Sequence, residues 1–154
     1  MALAHHPLKK FGGALKVIMT SPEISKADLE SVGGMIETAA SEMGARRILV
    51  DSMTHLERLS NDPVELRAIQ YAFVNALKRE GLTSVLTRES PVLLGGDDGD
   101  SAIGFVVDSY MLLRYVELES AIRRALLVLK LRGSDHAKDI RQYEITNKGI
   151  ASMS

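Results

Sequence analysis

Lys130, Arg132, Gly133, Ser134 and His136 stand together at the end of an apolar run that covers residues 125–131. The lysine and the arginine are spaced by two, so on a strand both face one side. Two cations one pleat apart suit a triphosphate, through charge-assisted hydrogen bonds to its oxygens. Gly133 lets the backbone approach a ligand, while Ser134 and His136 add a hydroxyl and an imidazole. The chemistry open to this string is recognition of a phosphate chain and stabilisation of charge in phosphoryl transfer. An arginine supplied in trans is worth about 10³–10⁵ in rate in GTPases. A solvated edge strand, whose Lys and Arg prevent sheet-to-sheet pairing, explains the two charges as well. It does not explain the whole string.

Asp51 is the other candidate, closing the apolar run at residues 48–50. A carboxylate at the carboxyl end of a buried parallel strand lies where open α/β sheets bind ligands. A polar turn continued by Ser52 and Thr54 is the plainer reading of the same residues. Other groups say less. His5 and His6 lie in a lead-in, and His55 reads as a turn or surface histidine. Asp97, Asp98 and Asp100 have the composition of a calcium loop without its ligand spacing or closing glutamate. Glu89 follows a strand near the mouth of the expected site and is otherwise a loop glutamate. Phe105, Tyr110 and Tyr115 read as packing residues on strands, and the seven methionines make no ligand cluster.

Positioning these groups requires a sheet. Residues 15–19 form an apolar strand, ended by Thr20-Ser21-Pro22. Ser25 with Asp28 opens a helix in capping-box fashion. Leu29, Val32, Ile36 and Ala39 or Ala40 give its apolar face, and Gly44 gives its stop. Gly33 and Gly34 fall inside that stretch, each costing about 0.5–1 kcal/mol relative to alanine. Residues 48–50 make a second strand. Asn61 or Asp62 caps the next helix, with Pro63 in its first turn. Leu66, Ile69, Phe73 and Leu77 form its stripe, Gly81 ends it, and residues 83–87 form a third strand. Strand–helix–strand–helix–strand predicts a parallel sheet covered by helices. After a Gly/Asp-rich loop at residues 91–101, the pattern changes to strands without helices. These are residues 104–108 continuing through 110–115, then 125–131, then 142–146, with residues 116–122 turning between the first two.

The stretch 123–149, with its Lys-x-Arg-Gly-Ser-x-His string and its Thr146-Asn147-Lys148-Gly149 ending, resembles the C-terminal part of the KaiC family of RecA-like ATPases. In that family the string reaches across a ring interface to the ATP bound by the neighbouring subunit. The resemblance implies nucleotide contact in trans by Arg124, Lys130, Leu131, Arg132, Ser134, His136, Thr146 and Asn147. Asn147 stands where an aspartate is usual. The run Arg47-Ile-Leu-Val-Asp-Ser52 matches the family's magnesium-side motif, so Asp51 is expected to hold magnesium through water. The implied fold is α/β, a RecA-like three-layer core whose parallel sheet is extended by antiparallel C-terminal strands. ATP and magnesium are the implied ligands, and a hexameric ring is the usual assembly.

The resemblance covers residues 15–149, leaving 1–14 as a lead-in and 150–154 as a tail. No Gly-x-x-x-x-Gly-Lys-Ser/Thr loop occurs in the 154 residues. Gly12-Gly13-Ala-Leu-Lys16 lacks the glycine spacing and the Lys-Ser/Thr pair that wrap phosphates. The expectation is therefore a fold without its N-terminal part, of ATPase lineage but not an autonomous ATPase, with no catalytic residue assigned.

Size fits one domain with an ordinary core. Apolar residues at 45% and charged residues at 25% describe a globular chain, and a net charge of −1 recruits neither nucleic acid nor anionic lipid. The absence of cysteine removes disulfides and thiolate sites and is compatible with a reducing cytoplasm. No apolar run approaches the roughly 20 residues of a membrane span. Half of a RecA-like core would leave apolar surface for a partner, either the chain itself or an intact KaiC-like subunit. Three readings stay open: the distal half of a longer or split ATPase, a degenerate paralogue that docks onto intact subunits, or a structural interaction module without nucleotide. Clock output, signalling, motility and DNA repair all use this family, so the resemblance chooses no pathway.

Overall fold

The computed structural model describes residues 13–19, 21, 34–89 and 103–152. The chain divides into two compact units, Met1–Arg88 and Glu89–Ser154.

In the first unit, residues 15–19 form no strand; they are exposed, Met19 to 75%, and no ladder pairs them among the described residues. An apolar run becomes a strand only where a second backbone accepts its hydrogen bonds. The predicted start of the first helix, with Ser25, Leu29 and Val32, lies outside the described residues. Helix α1 (Met35–Met43) begins after Gly34, which occupies its N-cap position rather than its interior. It stops at Gly44 as expected, with φ of 59°, a left-handed conformation that glycine adopts without a Cβ penalty. The Ala45 N–H then reaches back to the Ala40 carbonyl at 2.8 Å.

Strand β1 (Arg47–Val50) pairs in parallel with β2 (Thr83–Leu86), Arg47 opposite Thr83 and Val50 opposite Leu86. The connection between them runs through a 3₁₀ helix (Met53–Arg58), which the sequence reading did not anticipate, and through α2 (Pro63–Arg79). Asp62 caps α2 by accepting the Val64 N–H at 2.9 Å, and Pro63 fills the first position, where its missing N–H costs nothing. The buried face of α2 is Ile69, Gln70, Phe73, Val74 and Leu77, an i, i+4, i+8 row with its flanking row. Ala39, Met53, Leu56 and Leu82 complete the core of this unit among the described residues. Burial of each large side chain contributes about 1.5–3 kcal/mol. The 3₁₀ helix is tied to the end of β2 twice: Met53 N–H donates to the Thr87 carbonyl at 2.8 Å, and Arg88 pairs with Glu57 at 2.6 Å.

Among the described residues, the first element of the second unit is a single helical turn, α3 (Ile103–Val106), where the sequence predicted strand. The correction has a local cause: the Val107 N–H closes back onto the Ile103 carbonyl, and the carbonyls left at the end of the turn are met by a lysine from β4. Four antiparallel strands follow in the order β3-β4-β5-β6: Ser109–Leu118, Ala121–Leu131, Arg141–Thr146 and Gly149–Ser152. The turn expected over residues 116–122 is only Glu119-Ser120, both with positive φ, so β3 and β4 are longer than predicted. Two residues with φ above zero match the right-handed twist of a hairpin. The expected tail is in part strand β6, entered through Gly149 at φ of 115°.

The α/β class is as expected, with a parallel pair and an antiparallel sheet. Among the described residues these are hydrogen-bonded as two separate sheets, and the parallel one holds two strands. The predicted loop at residues 91–101 lies outside the described residues.

Candidate functional site

Lys130 and Arg132 reach their positions because β4 carries an irregularity. Tyr110 faces Lys130, but Met111 faces Val128, so Leu129 is the extra residue of a bulge. A bulge re-aims the side chains that follow it. Lys130 thereby faces the α3 turn, and its ammonium donates to the carbonyls of Gly104 at 2.9 Å and Val107 at 2.8 Å, with Phe105 at 3.5 Å. Arg132, one residue past the end of β4, is held by the same segment. Its N–H donates to the Asp108 carbonyl at 2.9 Å, Nη1 pairs with the Asp108 carboxylate at 3.3 Å, and Nη2 donates to the Phe105 carbonyl at 3.1 Å. The two cations meet the same segment and both point to the Phe105 carbonyl, although Arg132 lies past the strand on which the spacing argument placed it. The Arg132 side chain stays 55% exposed.

The other residues of the string are placed less closely. Leu131 is half-buried opposite Ser109. Arg124 faces Tyr115 across the hairpin, its guanidinium carbon 5.9 Å from the ring centroid, a geometry worth about 0.5–1 kcal/mol where exposed. Ser134 donates to the Asp135 carbonyl at 3.0 Å, and the His136 N–H donates to the Asp135 carboxylate at 3.0 Å, so this loop closes on itself. The His136 Nδ1 is buried without a hydrogen-bond partner. Thr146 and Asn147 sit at the β5–β6 turn, where the Thr146 hydroxyl donates to the Gly149 carbonyl at 2.9 Å and accepts the Lys148 N–H at 3.2 Å.

Asp51 follows β1, exposed, with the Thr87 hydroxyl donating to its Oδ1 at 2.5 Å. The same hydroxyl lies 3.3 Å from the Val50 carbonyl, and the Asp51–Ser52 peptide is cis. One carboxylate beside a hydroxyl fits magnesium, which keeps several waters and takes one or two carboxylates together with phosphate oxygens. No cluster of three or more His, Cys, Asp or Glu that could hold a metal occurs among the described residues. The donor set therefore suits an ion shared with a ligand. Asp108 and Thr87, which orient the expected site residues, were missed by the sequence reading. Each is a single polar residue beside a strand, with no spacing signal of its own.

Similarity to known proteins gives the family and the fold. A family model described as "ATPase: KaiC" matches residues 11–153. The chain belongs to the KaiC ATPase family. The circadian clock protein KaiC3 of Synechocystis is 37% identical over 139 residues, which is 90% of this chain and 27% of that protein. The circadian clock oscillator protein KaiC of Thermosynechococcus vestitus is 33% identical over 89% of this chain and 26% of its own length. The chain thus spans about a quarter of the curated relatives it matches. A KaiC-like protein from the hyperthermophilic archaeon Pyrococcus horikoshii shares the fold, with a TM-score of 0.75 over 95% of this chain and 64% of that chain, at 20% identity. The RecA-like fold expected from the Lys-x-Arg-Gly-Ser-x-His string is therefore that of a KaiC-like structure. No helix among the described residues is long and apolar enough to cross a membrane.

Proposed function

We propose that this chain is a KaiC-type domain that contacts ATP at an oligomer interface, reaching the nucleotide of a neighbouring subunit. The reaching residues are Arg124, Lys130, Leu131, Arg132, Ser134, His136, Thr146 and Asn147. The observation that carries the reading is the convergence of Lys130 and Arg132 on one turn, with the arginine exposed and three of its five N–H groups uncommitted among the described residues. A planar guanidinium so placed can take a phosphate in two parallel hydrogen bonds. Asp51 would hold magnesium through water, with Thr87 orienting the carboxylate; the ion would neutralise charge on the phosphate chain. These 154 residues hold no phosphate loop, so in this reading they do not hydrolyse ATP by themselves. In this reading it works in the cytoplasm, with itself or an intact KaiC-like subunit as partner.

A second reading is an interaction module that docks or oligomerises without nucleotide. Leu49 and Val85, paired across β1 and β2, remain 65% and 58% exposed, and such apolar surface favours a protein partner. One experiment separates the two. The chain is added to an intact KaiC-like ATPase, and turnover is compared with that given by the Lys130→Ala/Arg132→Ala double variant, binding being checked by pull-down. Nucleotide contact changes turnover with the wild-type chain only. Equal turnover with both bound proteins rejects contact and leaves the interaction module.

A further inference from the structure

Lys130 and Arg132 differ in how much of their hydrogen-bonding capacity the fold consumes. An ammonium has three N–H donors, and the three carbonyls of Gly104, Phe105 and Val107 face that of Lys130. Lys130 is half-buried, and its partners belong to one helical turn and the residue after it. The turn is short enough to depend on this. A four-residue helix makes almost no internal bonds, so its last carbonyls need outside donors. Here the lysine supplies them from a residue 26 positions away. Arg132, by contrast, has N–H groups to spare while it stays on Asp108 and Phe105.

A phosphate chain can therefore bind Arg132 without disturbing the fold, whereas it can bind Lys130 fully only by displacing carbonyls. We propose that the segment Ile103–Val106 with Val107 and Asp108 is a latch: Lys130 holds it closed, and polyphosphate opens it by taking the ammonium. This rests on the reading of Lys130 as a phosphate contact. The two states differ by bonds that the ligand itself makes and breaks, which is the condition for a ligand to shift a conformational equilibrium. Asp108, through its carboxylate and carbonyl, keeps Arg132 on the same segment that Lys130 holds.

The test is amide hydrogen exchange of the full chain, read at Val107, whose N–H closes α3 at 3.2 Å, and at Arg132, whose N–H closes on Asp108. The probe is sodium tripolyphosphate, against sodium chloride at matched ionic strength. Tripolyphosphate should speed exchange at Val107 by roughly fivefold, the factor implied by losing about one net hydrogen bond. Lys130→Met should show the faster exchange without ligand and no further response. Lys130→Gln, one bond shorter with two donors, serves if the methionine variant unfolds, and should lie between. Wild-type exchange that does not respond to tripolyphosphate overturns the latch, whether or not the anion binds. So does a folded Lys130→Met that exchanges like wild type. An ATPase whose turnover responds to Lys130 and Arg132 while Val107 stays protected leaves the proposed function standing and removes the latch. An opened latch with unchanged turnover does the reverse.

Discussion

The Thr87 hydroxyl donates to the Asp51 carboxylate at 2.5 Å although 36 residues separate them. The parallel register places Leu86 opposite Val50, so the residues that follow the two strands end side by side. The contact orients an exposed carboxylate at the end of the sheet rather than burying it. Thr87→Val should therefore cost only about 1 kcal/mol, a typical net hydrogen bond, while Thr87→Ser should cost less. Urea denaturation gives the stability, and magnesium titration in the presence of ATP gives the functional effect. Weaker magnesium binding by Thr87→Val than by Thr87→Ser is the expected order.

Leu77 is 2% exposed and Phe73 3%, both on the buried row of α2. Leu77→Ala should destabilise by about 2–5 kcal/mol, the transfer loss plus the cavity it leaves. Asp62→Ala, which deletes the cap of the same helix, should cost about 1 kcal/mol. Thermal unfolding followed by circular dichroism orders the two. A larger loss from the cap than from the core would mean that α2 is held mainly by its end.

Glu119 and Ser120 have φ of 52° and 60°, a region where a side chain costs about 1–2 kcal/mol. Asparagine and glycine are the residues such a hairpin turn prefers. The pair Glu119→Asn/Ser120→Gly should raise the unfolding midpoint without changing any strand contact. A lowered midpoint would show that the exposed Glu119 contributes something that the turn geometry does not explain.

The purified chain should show no steady-state ATP turnover of its own. Catalysis of phosphoryl transfer consists largely of positioning and charge stabilisation, and both need amides and a lysine around the β- and γ-phosphates. Residual turnover should survive Asp51→Ala, which identifies it as a contaminant. Turnover abolished by that substitution contradicts the expectation. Light scattering over a concentration series should show self-association, and a compact monomer throughout counts against it.

Where signals are local, the sequence was enough. Asn61 or Asp62 with Pro63 marks the start of α2, the spacing of Ile69, Phe73 and Leu77, though not Leu66, its buried face, and Gly44 the end of α1. Cap, period and left-handed stop each depend on residues within a turn or two, so they are legible without a fold. The Lys-x-Arg-Gly-Ser-x-His string likewise pointed to the KaiC family. Tertiary structure decided the rest. Residues 104–107 read as strand, and the helical turn Ile103–Val106 exists beside a lysine supplied by β4. Glu119-Ser120 carries no glycine or asparagine, so its hairpin could not be seen in composition. Residues 15–19 have the pattern of a strand but no backbone to pair with among the described residues. Sequence pattern states which face a residue prefers. Only the folded chain states which distant donor or acceptor meets it, because a hydrogen bond needs its second group within about 3 Å.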